Sequence, residues 1–168
     1  QWWSNRGDMG HSSLQRTFDL SKTGSASLRF WLWFDIEAGW DYAYVRVSRD
    51  GGQSWALLQG QQMTEHTLGA KAALLGVPQA TGMGYTGRSQ SSESATADGS
   101  AWVQEIIDLS DYAGQSILVS FDYITDDAVN APGLGIDDLE ISAIGFADDM
   151  ERDRGWQAEG FVRHRNRL

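Results

Sequence analysis

The chain has no cysteine, which excludes a disulfide framework, thiolate metal sites and cysteine nucleophiles. Cysteine-free chains occur in the cytosol and among bacterial secreted proteins alike, so this absence does not fix a compartment. No apolar run approaches the roughly 20 residues of a membrane span. There is no signal peptide and no initiating Met, and the chain reads as a mature fragment of something longer. Proline is scarce, two residues against nineteen Gly, which points to tight turns. Positive charge is also in deficit: 13 Lys and Arg against 23 Asp and Glu leave a net charge of −10. Such a surface repels phosphate backbones, excluding nucleic acid as a partner, and it suits a soluble secreted protein or a binder of cations.

Catalytic signatures are missing too. His11, His66 and His164 are isolated, with neither zinc-ligand spacing nor an HExxH pair. No G-x-S-x-G elbow is present. Gly82-Met83-Gly84-Tyr85-Thr86-Gly87 fits GxGxxG superficially but has no helix after it. An enzyme is therefore the least expected class.

What is present is a chain of 168 residues with eight Trp, enough for one domain with a sizeable core. The organising stretch is 28–55. Leu28, Phe30, Leu32 and Phe34 alternate with Arg29, Trp31, Trp33 and Asp35, a strand period with two apolar faces. Ala43, Val45 and Val47 form the next inward row, which extrapolates back to Asp41. A carboxylate heading an inward row is costly unless something neutralises it. Later strands are expected where Val103, Glu105 and Ile107 alternate, where Ile117, Val119 and Phe121 share a side, and over 136–144. There Asp137 shares a parity with Leu139 and Ile141, repeating the Asp41 situation.

Between these strands, 59–100 is rich in Gly, Ser, Thr and Gln and reads as a long irregular loop with a helical turn or two before Val77-Pro78. No standard amphipathic helix is present. The expected fold is all-β: an antiparallel β-sandwich of jelly-roll type over 1–145, with a C-terminal extension, 146–168, that either packs back or begins another domain.

Four motifs carry a resemblance: Trp3 to Asp8, FWLWFDIEAGWDYAYVRVSRDGGQSW, DLSDYAGQSILVSFDYITDDAVNAPGLGIDDLEI, and DDMERDRGWQAEGF. Together they resemble the β-sandwich domain that follows the catalytic domain in immune-inhibitor-A-type secreted metallopeptidases, itself similar to MAM and cleaved-adhesin jelly rolls. The resemblance implies a secreted bacterial protein, structural calcium and a covalently linked peptidase domain in the parent chain, without peptidase activity here. Within it, Ser48 to Trp55 fits the Asp-box hairpin pattern SxDxGx[ST]W.

The candidate calcium ligands are Glu37 and Asp41, flanking one loop, and Asp137 and Asp138, beginning a late strand, with Asp8, Asp126 and Glu151 in reserve. Ca²⁺ wants six to eight oxygens, several of them carboxylate. The bland alternative is loop carboxylates meeting water, Arg29 or backbone amides. Trp2 and Trp3 resemble an exposed pair and are the candidate ligand-binding residues. Trp31, Trp33, Tyr42 and Tyr44 extend them into a possible sugar platform, or else bury area under the long loop, as strand aromatics usually do. Arg6-Gly7-Asp8 matches an adhesion tripeptide by chance. The leading function is a calcium-stabilised accessory domain; a carbohydrate-binding module and a self-assembling surface or adhesion module, touching glycan or protein, are the alternatives.

Overall fold

The computed structural model describes residues 1–6, 10–90 and 100–165. The reserve ligand Asp8, and Gly7 of the adhesion-like tripeptide with it, lie outside the described residues. In chain order the elements are β1 (Trp2–Trp3), β2 (His11–Asp19), β3 (Ser27–Ile36), β4 (Tyr42–Ser48), β5 (Ala56–Leu57), β6 (Thr64–Thr67), α1 (Lys71–Leu75), β7 (Thr81–Gly84) and β8 (Gly87–Arg88). There follow β9 (Val103–Asp108), β10 (Ser116–Ile124), β11 (Gly133–Ile141), β12 (Phe146–Asp148), β13 (Gln157–Glu159) and β14 (Val162–Arg163).

These strands make a β-sandwich. One sheet runs β14-β1-β11-β3-β8, with β9 on β3 and β12 on β11; the other runs β13-β2-β10-β4-β5. All named pairings are antiparallel. Successive side chains on a strand point to opposite faces, so the inward rows of β3, β4, β9 and β10 meet in one core. That core holds Leu28, Phe30, Leu32, Phe34, Val45, Val47, Ile107, Val119 and Phe121. Phe30 and Phe121 cross it edge to face, with centroids 5.2 Å apart.

The 59–100 stretch is more ordered than a long irregular loop. Strands β6 and β7 pair, and α1 sits between them, ended by Gly76 in the left-handed region at φ 68°. This excursion covers the outer face of β4 and β10, where Tyr42, Tyr44, Ile124, Leu68, Leu75 and Val77 form a second apolar cluster. Every residue of β4 is consequently buried. Two polar anchors hold the excursion down. Glu105, fully buried, accepts the backbone N–H of Gln61 and Gln62 and the Tyr85 hydroxyl. Arg46, under α1, donates to the Leu75 carbonyl at 2.8 Å and forks onto Asp122 at 2.7 and 2.9 Å.

The tail returns across the sandwich, since β12, β13 and β14 pair with β11, β2 and β1. Its Asp148 accepts the Trp156 indole N–H at 2.8 Å and the Met150 N–H at 2.8 Å, so Met150, Trp156 and Phe161 enter the core. The Asp-box turn forms as its pattern implies. The Asp50 carboxylate accepts the Ser54 N–H, the Ser54 hydroxyl and the Ser48 hydroxyl, while Arg46 stacks over Trp55 at 4.0 Å.

Candidate metal centre

The turn before β4 is built by backbone. The Glu37 carbonyl accepts the N–H of Trp40 at 3.2 Å and of Asp41 at 3.1 Å. Thr86 pins that turn from the other side: its hydroxyl donates to the Asp41 carbonyl at 3.0 Å and accepts the Gly39 N–H at 2.9 Å. These bonds aim Asp41 down the same side as Ala43, Val45 and Val47, and Asp41 is fully buried, as the extrapolated row requires.

A second loop meets it there. One Asp41 carboxylate oxygen accepts the Asp126 N–H at 2.8 Å, immediately after β10 ends. Glu37, Asp41 and Asp126 then each offer an oxygen, and these oxygens lie within 4.8 Å of one another. Glu37 Oε2 is buried with no hydrogen-bond partner. Burial, and then the charges of Asp126 and Asp41, push the Glu37 carboxyl above its ordinary range. Burial and the charge of Asp41 push the Tyr123 hydroxyl upward as well. Three carboxylates converging on a shared point, one fully buried and one with an orphaned oxygen, repel one another when ionised, a repulsion that a proton or a cation between them relieves. All the donors are hard oxygens on two loops, the chemistry that suits Ca²⁺ and not a thiolate or imidazole metal.

Of the four expected ligands the structure brings Glu37 and Asp41 together. Asp137 and Asp138 stand elsewhere, and the reason is a β-bulge. Along β11 the pairing with β3 shifts register between Asp137 and Glu140, and Asp138 adopts φ 43°. The extra residue reverses the phase of the strand. Leu134 and Ile136 face the core before it, and Leu139 and Ile141 face it afterwards. Asp137 therefore points away from the core, opposite Trp31 on β3, and does not lead an inward row. Burial raises its carboxyl. Asp138 is exposed. Glu151, also in reserve, is not part of the acidic cluster. Asp126, a reserve ligand, completes the cluster because the 125–132 loop closes over the start of β4.

Trp2 and Trp3 are not an exposed pair. Both are half-buried, and as neighbours on a strand they face opposite ways. Trp2 packs against the core, while Trp3 lies outside it with its indole N–H on the Pro132 carbonyl at 2.7 Å. Tyr42 and Tyr44 are separated from the tryptophans, buried under the excursion where His66 stacks on Tyr42 at 3.7 Å and meets the Tyr44 hydroxyl at 2.6 Å.

Comparison with known proteins agrees with this architecture. The family described as "Immune inhibitor A-like, MAM domain" matches residues 1–166. The Pre-pro-metalloprotease PrtV of Vibrio cholerae is 31% identical over 166 residues, 97% of this chain and 16% of that protein. Immune inhibitor A of Bacillus thuringiensis is 27% identical over 165 residues, covering 96% of this chain and 20% of its own. Bacillopeptidase F of Bacillus subtilis is 29% identical over 120 residues, 71% of this chain and 6% of its own. The chain thus spans a fifth or less of the curated relatives it matches. No described helix is long and apolar enough to cross a membrane.

Proposed function

Because this chain belongs to the immune inhibitor A-like MAM domain family, we propose that it is a non-catalytic module of a larger secreted bacterial peptidase, with Ca²⁺ held by Glu37, Asp41 and Asp126 locking its loops. Its role is to stabilise or position the peptidase part to which it is covalently joined. Three facts support the accessory reading: the small share of the relatives that it spans, the lack of HExxH in this sequence, and an architecture of packed sheets.

The observation that carries the calcium reading is a fully buried Asp41 set among two other carboxylates. A cation there joins the turn before β4 to the loop after β10, which are 85 positions apart in sequence. Three carboxylates on short loops fit the extracellular class of calcium modules, with Kd of about 10⁻⁴ to 10⁻³ M. Isothermal titration with CaCl₂ tests it. One exchangeable site is expected, abolished by Glu37→Gln or Asp126→Asn and kept in Asp137→Asn. Loss in Asp137→Asn alone would move the site away from this cluster.

A further inference from the structure

The outer face of the seven-stranded sheet carries a ridge of indoles that the calcium reading leaves unused. Trp31 and Trp33 project outward from β3, opposite the inward row of Leu32 and Phe34. In register across the sheet, Trp3 pairs with Gly135 and Gly135 pairs with Trp33, so one row reads indole, no side chain, indole. The vacancy above Gly135 is filled by the Trp102 ring, which approaches to 3.1 Å of where a Cβ would stand. Trp102 is 38% exposed and Trp31 40% exposed.

Two depressions flank Trp102. One, of about 590 Å³, has Trp3, Trp33, Pro132 and His164 on its walls. The other, of about 210 Å³, runs from Trp31 to Asp137 and Asp138. The larger has the size of an ordinary small-ligand site. The rings are held in advance. Trp3 is fixed by its bond to Pro132 and by edge contact with His164 at 5.3 Å, and Trp102 by its seat on Gly135. Such preorganisation reduces the entropy lost on binding.

We propose that this ridge is a binding site for a neutral glycan chain. Flat aromatic walls complement the C–H faces of pyranose rings, and Asp137 and Asp138 beside Trp102 accept hydroxyl donors. An apolar peptide side chain would have no use for those two carboxylates. A net charge of −10 and the two acids in the smaller depression oppose sulfated or uronate polymers, against the single cation Arg6 beside the larger one. The site lies on the outer face of one sheet, whereas Glu37, Asp41 and Asp126 gather where the other sheet's β4 begins and β10 ends, so either site can fail without the other.

Affinity electrophoresis of the chain through gels holding hydroxyethylcellulose, soluble xylan or glycol chitin tests the proposal, with heparin as the anionic control. Retardation in at least one neutral gel and none in heparin is expected. Trp102→Ala and Trp33→Ala should each weaken it by about tenfold or more, as central aromatic anchors do. Trp102→Phe should retain most of it, and Asp137→Asn should weaken it less than Trp102→Ala does. Because Trp102→Ala also removes packing over Gly135, quenching or a blue shift of tryptophan emission on adding the retarding polysaccharide is read on the unmutated chain. Free migration in all three neutral gels, retardation by heparin alone, or retardation indifferent to Trp33→Ala and Trp102→Ala overturns the site. So does a concentration-dependent dimer in solution scattering that Trp102→Ala dissolves, since the ridge would then be a contact between copies.

Discussion

At the scale of single residues, the buried charges of Arg46, Asp122, Glu105 and Asp148 are held by named partners, and removal of one partner is costly. Asp122 is fully buried, forked by Arg46 and touched by His11 at 2.8 Å. Asp122→Ala leaves the Arg46 guanidinium buried without its counter-charge. A loss of about 3–5 kcal/mol is expected, measured by urea unfolding. The Asp-box carboxylate behaves differently because it is at the surface. Hydrogen bonds from Ser54, then Ser48, lower Asp50 to about 2 from an ordinary 3.8. Its folded value is depressed, so its contribution is present above pH 3.8 and is lost as the pH falls toward 2. The difference in melting temperature between the unmutated chain and Asp50→Ala should therefore narrow over that window and stay constant above it.

At the scale of elements, what could be read from residue spacing depended on how long each element is. The rows of β3, β4, β9 and β10 run six residues or more, long enough for a period of two to be visible. They located the core and also the burial of Asp41. Strands of two or three residues such as β1, β13 and β14 are too short to show any period, and their pairing is decided by tertiary packing. The hairpin of β6 and β7 was hidden for another reason: its strands carry Thr, His and Gly rather than apolar rows. The bulge in β11 adds a residue that spacing alone does not reveal, so a strict period of two places Asp137 on the opposite face from the one it occupies. Asp126 belongs to the cluster only because two loops distant in sequence meet. The resemblance carried by the motifs supplied what periodicity did not, namely the family and the expectation of calcium.

The excursion over β4 gives this scale its own test. Glu105 is one of the two polar anchors that join it to the sandwich, and Glu105→Ala leaves the Gln61 and Gln62 N–H groups and the Tyr85 hydroxyl without their acceptor. A loss of about 3 kcal/mol or more is expected. Amide exchange should accelerate most over 60–85, the stretch that this carboxylate holds. Uniform acceleration across both sheets would show instead that the excursion and the sandwich open as one unit.

At the scale of the whole molecule, two sheets share a core that runs from β1 to the tail, and the acidic cluster sits where two loops close one end of that sandwich. The cation proposed for Glu37, Asp41 and Asp126 would tie that end together and remove a mutual repulsion that burial intensifies. In the proposed setting of a secreted peptidase, such a lock would keep the module folded where calcium is plentiful. The indole ridge on the outer face of the other sheet, the proposed glycan site, stands apart from that cluster.

The most direct measurement is the melting temperature of the chain in excess EDTA and in saturating CaCl₂, made in parallel on Glu37→Gln. Calcium at about one hundred times its Kd contributes about 2.7 kcal/mol, which for a domain of this length corresponds to a rise of about 5–10 °C. The account predicts that rise in the unmutated chain and its loss in Glu37→Gln. Equal melting temperatures in EDTA and calcium, or an equal rise in both proteins, would contradict it.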